Sequence, residues 1–162
     1  MYNQHFGLRE LPFTITPDTS FFFAHASHQD ALNVLLVALR TGEGFIKVVG
    51  EVGTGKTLLC RKLLSALDPQ EFETAYIPNP FLEPRTLLFA VADELEISYE
   101  GEPNQHQLLR ILNKALVDAY ADGRRVVLCL DEVQAMPTET LEALRLLSNL
   151  ETERRKLLQV VL

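Results

Sequence analysis

"GEVGTGKT", residues 50–57, sets three glycines, a lysine and two threonines directly after the apolar run FIKVV at 45–49. Glycine loses more backbone entropy on folding than any other residue, so such a cluster has to return something. The spacing is G-x-x-x-x-G-K-[ST], the pattern of a P-loop. Main-chain N–H groups can wrap a phosphate chain only where no bulky β-carbon intervenes, and Gly50, Gly53 and Gly55 meet that need. A helix opening at Gly55 would aim its positive end at the phosphates. Lys56 would bridge the β- and γ-phosphates, and the Thr57 hydroxyl would ligate Mg²⁺. With Glu51, Val52, Thr54 and Leu58, residues 50–58 form the candidate ATP-binding segment. Ordinary residue usage produces the four fixed positions by chance in well under about one chain in a hundred of this length.

A P-loop needs an acidic partner at the end of another apolar strand, and "VVLCLDE", residues 126–132, has that form. Asp131 would hold the Mg²⁺ through a water, and Glu132 would act as general base on the water that attacks the γ-phosphate. Adjacent Asp and Glu favour a hydrolase over a kinase, which needs only the metal. Lys56 and Glu132 are thus the candidate catalytic residues. Gln134 is either a γ-phosphate sensor or an ordinary loop glutamine.

Outward from these two segments, strands and helices alternate. Strands are expected at 45–49, 74–77, 126–130 and 157–162, the third apolar enough to be covered on both faces. Helices are expected from a Ser27/Asp30 capping box to Gly42, from Gly55 to Leu67, from Pro84 to Leu95, from the cap Asn104 to Asp122-Gly123, and over 138–150. The alternation predicts an α/β fold with a mainly parallel sheet flanked by helices. Residues 1–24, with turn signals at Gly7, Pro12 and Pro17-Asp18 and the aromatic run 21–23, read as an extended arm with little regular structure. Residues 25–162 then form the nucleotide-binding core.

The chain has 162 residues and a formal charge of -7. That length supports one substantial core. The charge disfavours a large nucleic-acid-binding face, and no apolar run approaches the ~18 residues of a membrane span. Cys60 and Cys129 lie far apart in apolar segments and read as buried hydrophobes in a reducing, cytoplasmic compartment. The histidines and cysteines do not cluster as zinc ligands do. His25 and His28 flank the first helix cap, and His28 either borders an adenine or faces water.

The arm MYNQHFGLRELPFTITPDTSFFF, the stretch GEGFIKVVGEVGTGKT, and the segments VVLCLDEVQAM and LRLLSNLETERRKLLQVVL together resemble one AAA+ subfamily. It contains general secretion pathway protein A (the ExeA type) and the MSHA pilus biogenesis ATPases (the MshM type), and the likeness is closest to the latter. The resemblance implies a sheet in which the P-loop strand neighbours 157–162, with 126–130 beyond it. It implies that Pro17-Asp18 and the aromatic run lie near the base. It also implies a Mg²⁺-dependent ATPase that works as a homo-oligomer with secretion or pilus assembly proteins at the cytoplasmic face of a bacterial inner membrane. The family pattern continues past Leu162 with a sensor, an arginine finger, a fifth strand and a lid. The 162 residues are therefore expected to be a C-terminally incomplete core with an exposed sheet edge and very slow turnover. Arg154 and Arg155 precede the sensor strand and read as solvated. Two further readings stay open at this point: a DNA-acting AAA+ helper, and an assembly scaffold gated by nucleotide with incidental hydrolysis.

Overall fold

The computed structural model describes residues 2–8, 25–151 and 156–162. Four strands form one sheet: β1 (Phe45–Ile46), β2 (Phe72–Ile77), β3 (Arg125–Leu130) and β4 (Leu158–Val161), in the order β1-β4-β3-β2. Every pairing is parallel. The P-loop strand thus lies beside β4 with β3 beyond it, the order the resemblance implies.

Parallel strands need long crossovers, and helices supply them. The helices are α1 (Tyr2–His5), α2 (Ala26–Thr41), α3 (Lys56–Ala66), α4 (Pro84–Glu94), α5 (Gln105–Ala121) and α6 (Thr138–Ser148), of which α3, α4 with α5, and α6 connect successive strands. Local signals set most of the boundaries. Asn104 makes a reciprocal capping box with Gln107, Pro84 takes the first helical position of α4, and Gly42 closes α2 in the left-handed region at φ 90°. The period-2 alternation of β3 then sorts the layers. Val126, Leu128 and Leu130 pack with α4, α5 and α6, while Val127 and Cys129 pack with α2 and α3. Both faces of β3 are therefore covered, which its unbroken apolar run requires.

Four expectations change. First, the P-loop strand is formally two residues long rather than five; it lies at the sheet edge with Phe45 exposed, an open edge being what the resemblance implied. Its pairing continues one step further through Val48 N–H, which donates to the Leu162 carbonyl over 2.7 Å. An apolar run reads alike for a central and an edge strand, so the exposed edge is legible only through the resemblance. Second, α2 is capped by His25, whose Nδ1 accepts from Ser27 N–H, and not by Ser27. Third, β2 starts two residues early because Phe72 is buried and in register with Arg125. Fourth, the first residues of the expected arm contain a turn of helix, α1, closed by Leu8 N–H on Asn3 O. Pro12, Pro17-Asp18, the aromatic run 21–23, Arg154 and Arg155 lie outside the described residues.

Candidate nucleotide-binding site

The strand ends deliver the site. In an open parallel sheet, ligands bind beyond the carboxyl ends of the strands. The loop after β1 and the end of β3 meet there. Gly53 and Gly55 take left-handed backbone at φ 82° and 83°, which a residue with a β-carbon adopts only under strain. A β-carbon at Gly50 would stand 2.8 Å from Thr54 Oγ1. These glycines therefore let the loop close on itself. Val52 is fully exposed and Glu51 also faces solvent, so neither side chain builds the site wall.

Thr54 tightens the turn, its N–H and its hydroxyl both donating to Glu51 O, at 3.4 and 2.9 Å. Lys56 folds back over the loop, and its Nζ donates to the carbonyls of Gly50 at 2.8 Å and Glu51 at 2.9 Å. The ammonium is thereby held at the loop rim rather than in open water. Gly55 is the N-cap of α3, with no side chain to satisfy the first N–H groups. Such a helix start is suited to an anion. Leu58 sits in the first turn of α3, half-buried.

Thr57, on α3, reaches β3: its hydroxyl donates to Asp131 Oδ2 over 2.5 Å. Asp131 is buried at the end of the sheet, and its Oδ1 accepts from Glu132 N–H at 3.0 Å. A carboxylate in that setting needs such donors, because an uncompensated buried charge is costly. Glu132 itself is exposed and stands at φ 56°, one of two non-glycine residues with positive φ among the described residues. It leads into a 3-10 turn, Val133–Ala135, and Gln134 Nε2 donates to Glu132 Oε2. The structure thus brings together residues 50–57 and Asp131, while the described side-chain contact of Glu132 is with Gln134.

Tyr76 and Arg61, which no sequence motif marks, join the cluster. Tyr76, near the end of β2, sends its hydroxyl to Asp131 Oδ2 at 3.4 Å. Arg61, one turn after Thr57 on α3, lies 6.0 Å from the centre of the Tyr76 ring. Burial pushes the Tyr76 phenol above its usual pKa, Arg61 opposes that shift and the Asp131 charge adds to it. The signal available was position: a hydroxyl at the carboxyl end of a strand paired with the Asp131 strand. Behind the site, Cys60 and Cys129 are both buried and in contact. The hydrogen bond between the two thiols, with burial, pushes the Cys129 pKa far up; the same bond lowers that of Cys60 against the opposing effect of burial.

The donor set fits a Mg²⁺–nucleotide: a glycine cradle that β-carbons would strain or fill, a lysine over the loop, a helix start, and a hydroxyl–carboxylate pair of hard oxygens.

Comparison with known proteins places this geometry. The chain is 45% identical over 162 residues to General secretion pathway protein A of Aeromonas hydrophila, and it spans 29% of that protein's length. Among solved structures, Cdc6p from Pyrobaculum aerophilum superposes with a TM-score of 0.66 at 20% identity, over 93% of this chain and 40% of that one. The Aeropyrum pernix ORC2 protein, in ADPNP-ADP complexes, gives 0.58 at 19% identity, over 93% of this chain and 42% of that one. At these identities the structural likenesses establish the fold: a P-loop NTPase of the AAA type, with a parallel sheet and flanking helices. The AAA domain family model matches residues 39–162. The chain belongs to the AAA domain family.

Proposed function

We infer that the chain binds ATP with Mg²⁺ and hydrolyses it, in an assembly that serves a type II secretion or MSHA-like pilus apparatus at the bacterial inner membrane. The observation that carries the nucleotide part is the Thr57–Asp131 contact, which sets a hydroxyl and a carboxylate together beside a glycine-cradled loop. The 45% identity to General secretion pathway protein A, and the resemblance to the MshM type, support the apparatus. Partners are further copies of the chain and assembly proteins at the membrane. Among the described residues no helix is long and apolar enough to cross a membrane.

In this account residues 50–58 bind the phosphates through their backbone. Lys56, already poised over the loop, would leave the Gly50 and Glu51 carbonyls for the β- and γ-phosphates. Thr57 would hold the metal directly, and Asp131 would orient one of its waters. Magnesium, when bound, neutralises phosphate charge as the terminal group departs. Glu132 would take the proton of the attacking water, and its hydrogen bond from Gln134 orients the carboxylate.

The test is ATP turnover by the chain within its longer natural context, with the variants Lys56→Ala and Glu132→Gln, and with duplex DNA added in parallel. The expected result is that Lys56→Ala loses binding, Glu132→Gln binds without turnover, and DNA changes nothing. Full turnover by Glu132→Gln would overturn the assignment of the base. Stimulation by DNA would replace the secretion role with a DNA-acting one.

A further inference from the structure

His28 stands 26 residues before Thr54 in the chain, yet its ring Nε2 lies 2.9 Å from the Thr54 carbonyl oxygen. A carbonyl only accepts, so the proton of this bond sits on Nε2. The same nitrogen is 3.4 Å from where a β-carbon on Gly55 would lie. The ring therefore holds the Thr54–Gly55 peptide by a hydrogen bond to its carbonyl and stands close beside Gly55.

The helix that carries His28 is itself fixed. At its far end, Arg125 Nη1 donates to the carbonyls of Leu39 and Arg40 at 3.3 and 2.9 Å. Gln159, buried on β4, donates from Nε2 to Leu39 O at 3.0 Å and Glu43 O at 2.9 Å. Leu35 and Leu39 pack on the sheet and α3 between these ends. α2 is thus a strut tied to the sheet at its carboxyl end and to the P-loop at its first turn.

The consequence follows from peptide geometry. In a trans peptide the C=O and the next N–H point opposite ways. Fixing the Thr54 carbonyl on the α2 side turns the Gly55 N–H away from α2. Gly55, at φ 83°, would otherwise flip this peptide at small cost, because glycine populates both signs of φ. A flipped peptide would present a carbonyl to an anion.

We propose that His28 is a positioning residue of the P-loop, locking the Thr54–Gly55 peptide so that the Gly55 N–H is presented to a nucleotide phosphate. The nucleotide in that statement rests on the function inferred above; the lock on the loop does not.

The experiment compares wild type, His28→Phe and His28→Gln in the full chain. Amide hydrogen exchange at residues 53–55 is read without nucleotide, and binding of a fluorescent ATP analogue with Mg²⁺ is read separately. Loss of one hydrogen bond predicts roughly tenfold faster loop exchange and roughly tenfold weaker binding for His28→Phe. His28→Gln keeps an N–H donor and should recover most of both. Loop exchange in His28→Phe equal to wild type would overturn the lock, as would His28→Gln failing as badly as His28→Phe. Faster loop exchange in His28→Phe, with the analogue bound by neither variant nor wild type, would support the lock and refute the nucleotide-binding reading.

Discussion

The Thr57 hydroxyl and the Asp131 carboxylate meet across the sheet end, 2.5 Å apart and 74 residues apart in sequence. That length is at the short end of charge-assisted O–H···O⁻ bonds. It ties the first turn of α3 to the end of β3, the two elements that a bound metal would bridge. Thr57→Ala removes the hydroxyl that the metal would need and leaves the Gly53–Gly55 cradle intact. We expect Mg²⁺ to strengthen ATP binding to wild type and to add less than about a tenth of that gain in Thr57→Ala. Titrations with and without Mg²⁺ check this.

The two left-handed glycines separate backbone strain from crowding. A β-carbon added at Gly53 would meet nothing within 4 Å, while one at Gly55 would stand 3.4 Å from the His28 ring. Gly53→Ala should therefore cost only the strain of left-handed backbone, about 1–2 kcal/mol. Gly55→Ala should cost at least as much, its β-carbon meeting the His28 ring at van der Waals distance. Urea unfolding of both variants tests the order, and a larger loss for Gly53→Ala would contradict the described loop.

The Tyr76 hydroxyl donates to Asp131 over a long 3.4 Å. Tyr76→Phe should leave stability within about 1 kcal/mol of wild type, the worth of one ordinary hydrogen bond. It should nevertheless raise the Mg²⁺ concentration needed for half-maximal nucleotide binding by a few-fold, since Asp131 loses one of its donors. A thermal melt and a Mg²⁺ titration read the two effects separately.

The thiols of Cys60 and Cys129 are buried, and the Cys129 thiol is held far from ionisation by its bond to Cys60 and by burial. Cys60 is the easier of the two to ionise, yet only 3% of its surface is accessible. Neither should react with a thiol-specific reagent at pH 8 in the native protein, and both should react in denaturant. Rapid labelling of Cys60 in the native state would show that α3 opens away from the sheet.

What is legible in the sequence is local. Asn104 with Gln107, Pro84, and the glycines at 42, 53 and 55 each act within a few residues, and each sits where its backbone chemistry requires. The apolar stretch ending at Asp131 reads as a covered strand because alternation disappears when both faces are buried. The remainder depends on contacts between distant segments. FIKVV contains no sign that its strand lies at an edge, the cap of α2 is His25 accepting from Ser27 N–H and not Ser27 itself, and Tyr76 reaches Asp131 only once β2 pairs with β3. His28, by its place at a helix start, points to a base or to water, whereas its partner is a loop carbonyl. The acidic side chain of Glu132 just past the strand end is legible in the sequence; its positive φ and its bond from Gln134 are not.

Calorimetric titration of ATP, with and without Mg²⁺, into wild type and Lys56→Ala tests most directly whether residues 50–57 and Asp131 hold a nucleotide. Saturable binding that Mg²⁺ tightens in wild type, and that Lys56→Ala weakens by at least about tenfold, is the predicted result. Absence of binding in wild type, or equal affinity in the two proteins, would contradict the assignment of residues 50–57 and Asp131 as a Mg²⁺–nucleotide site.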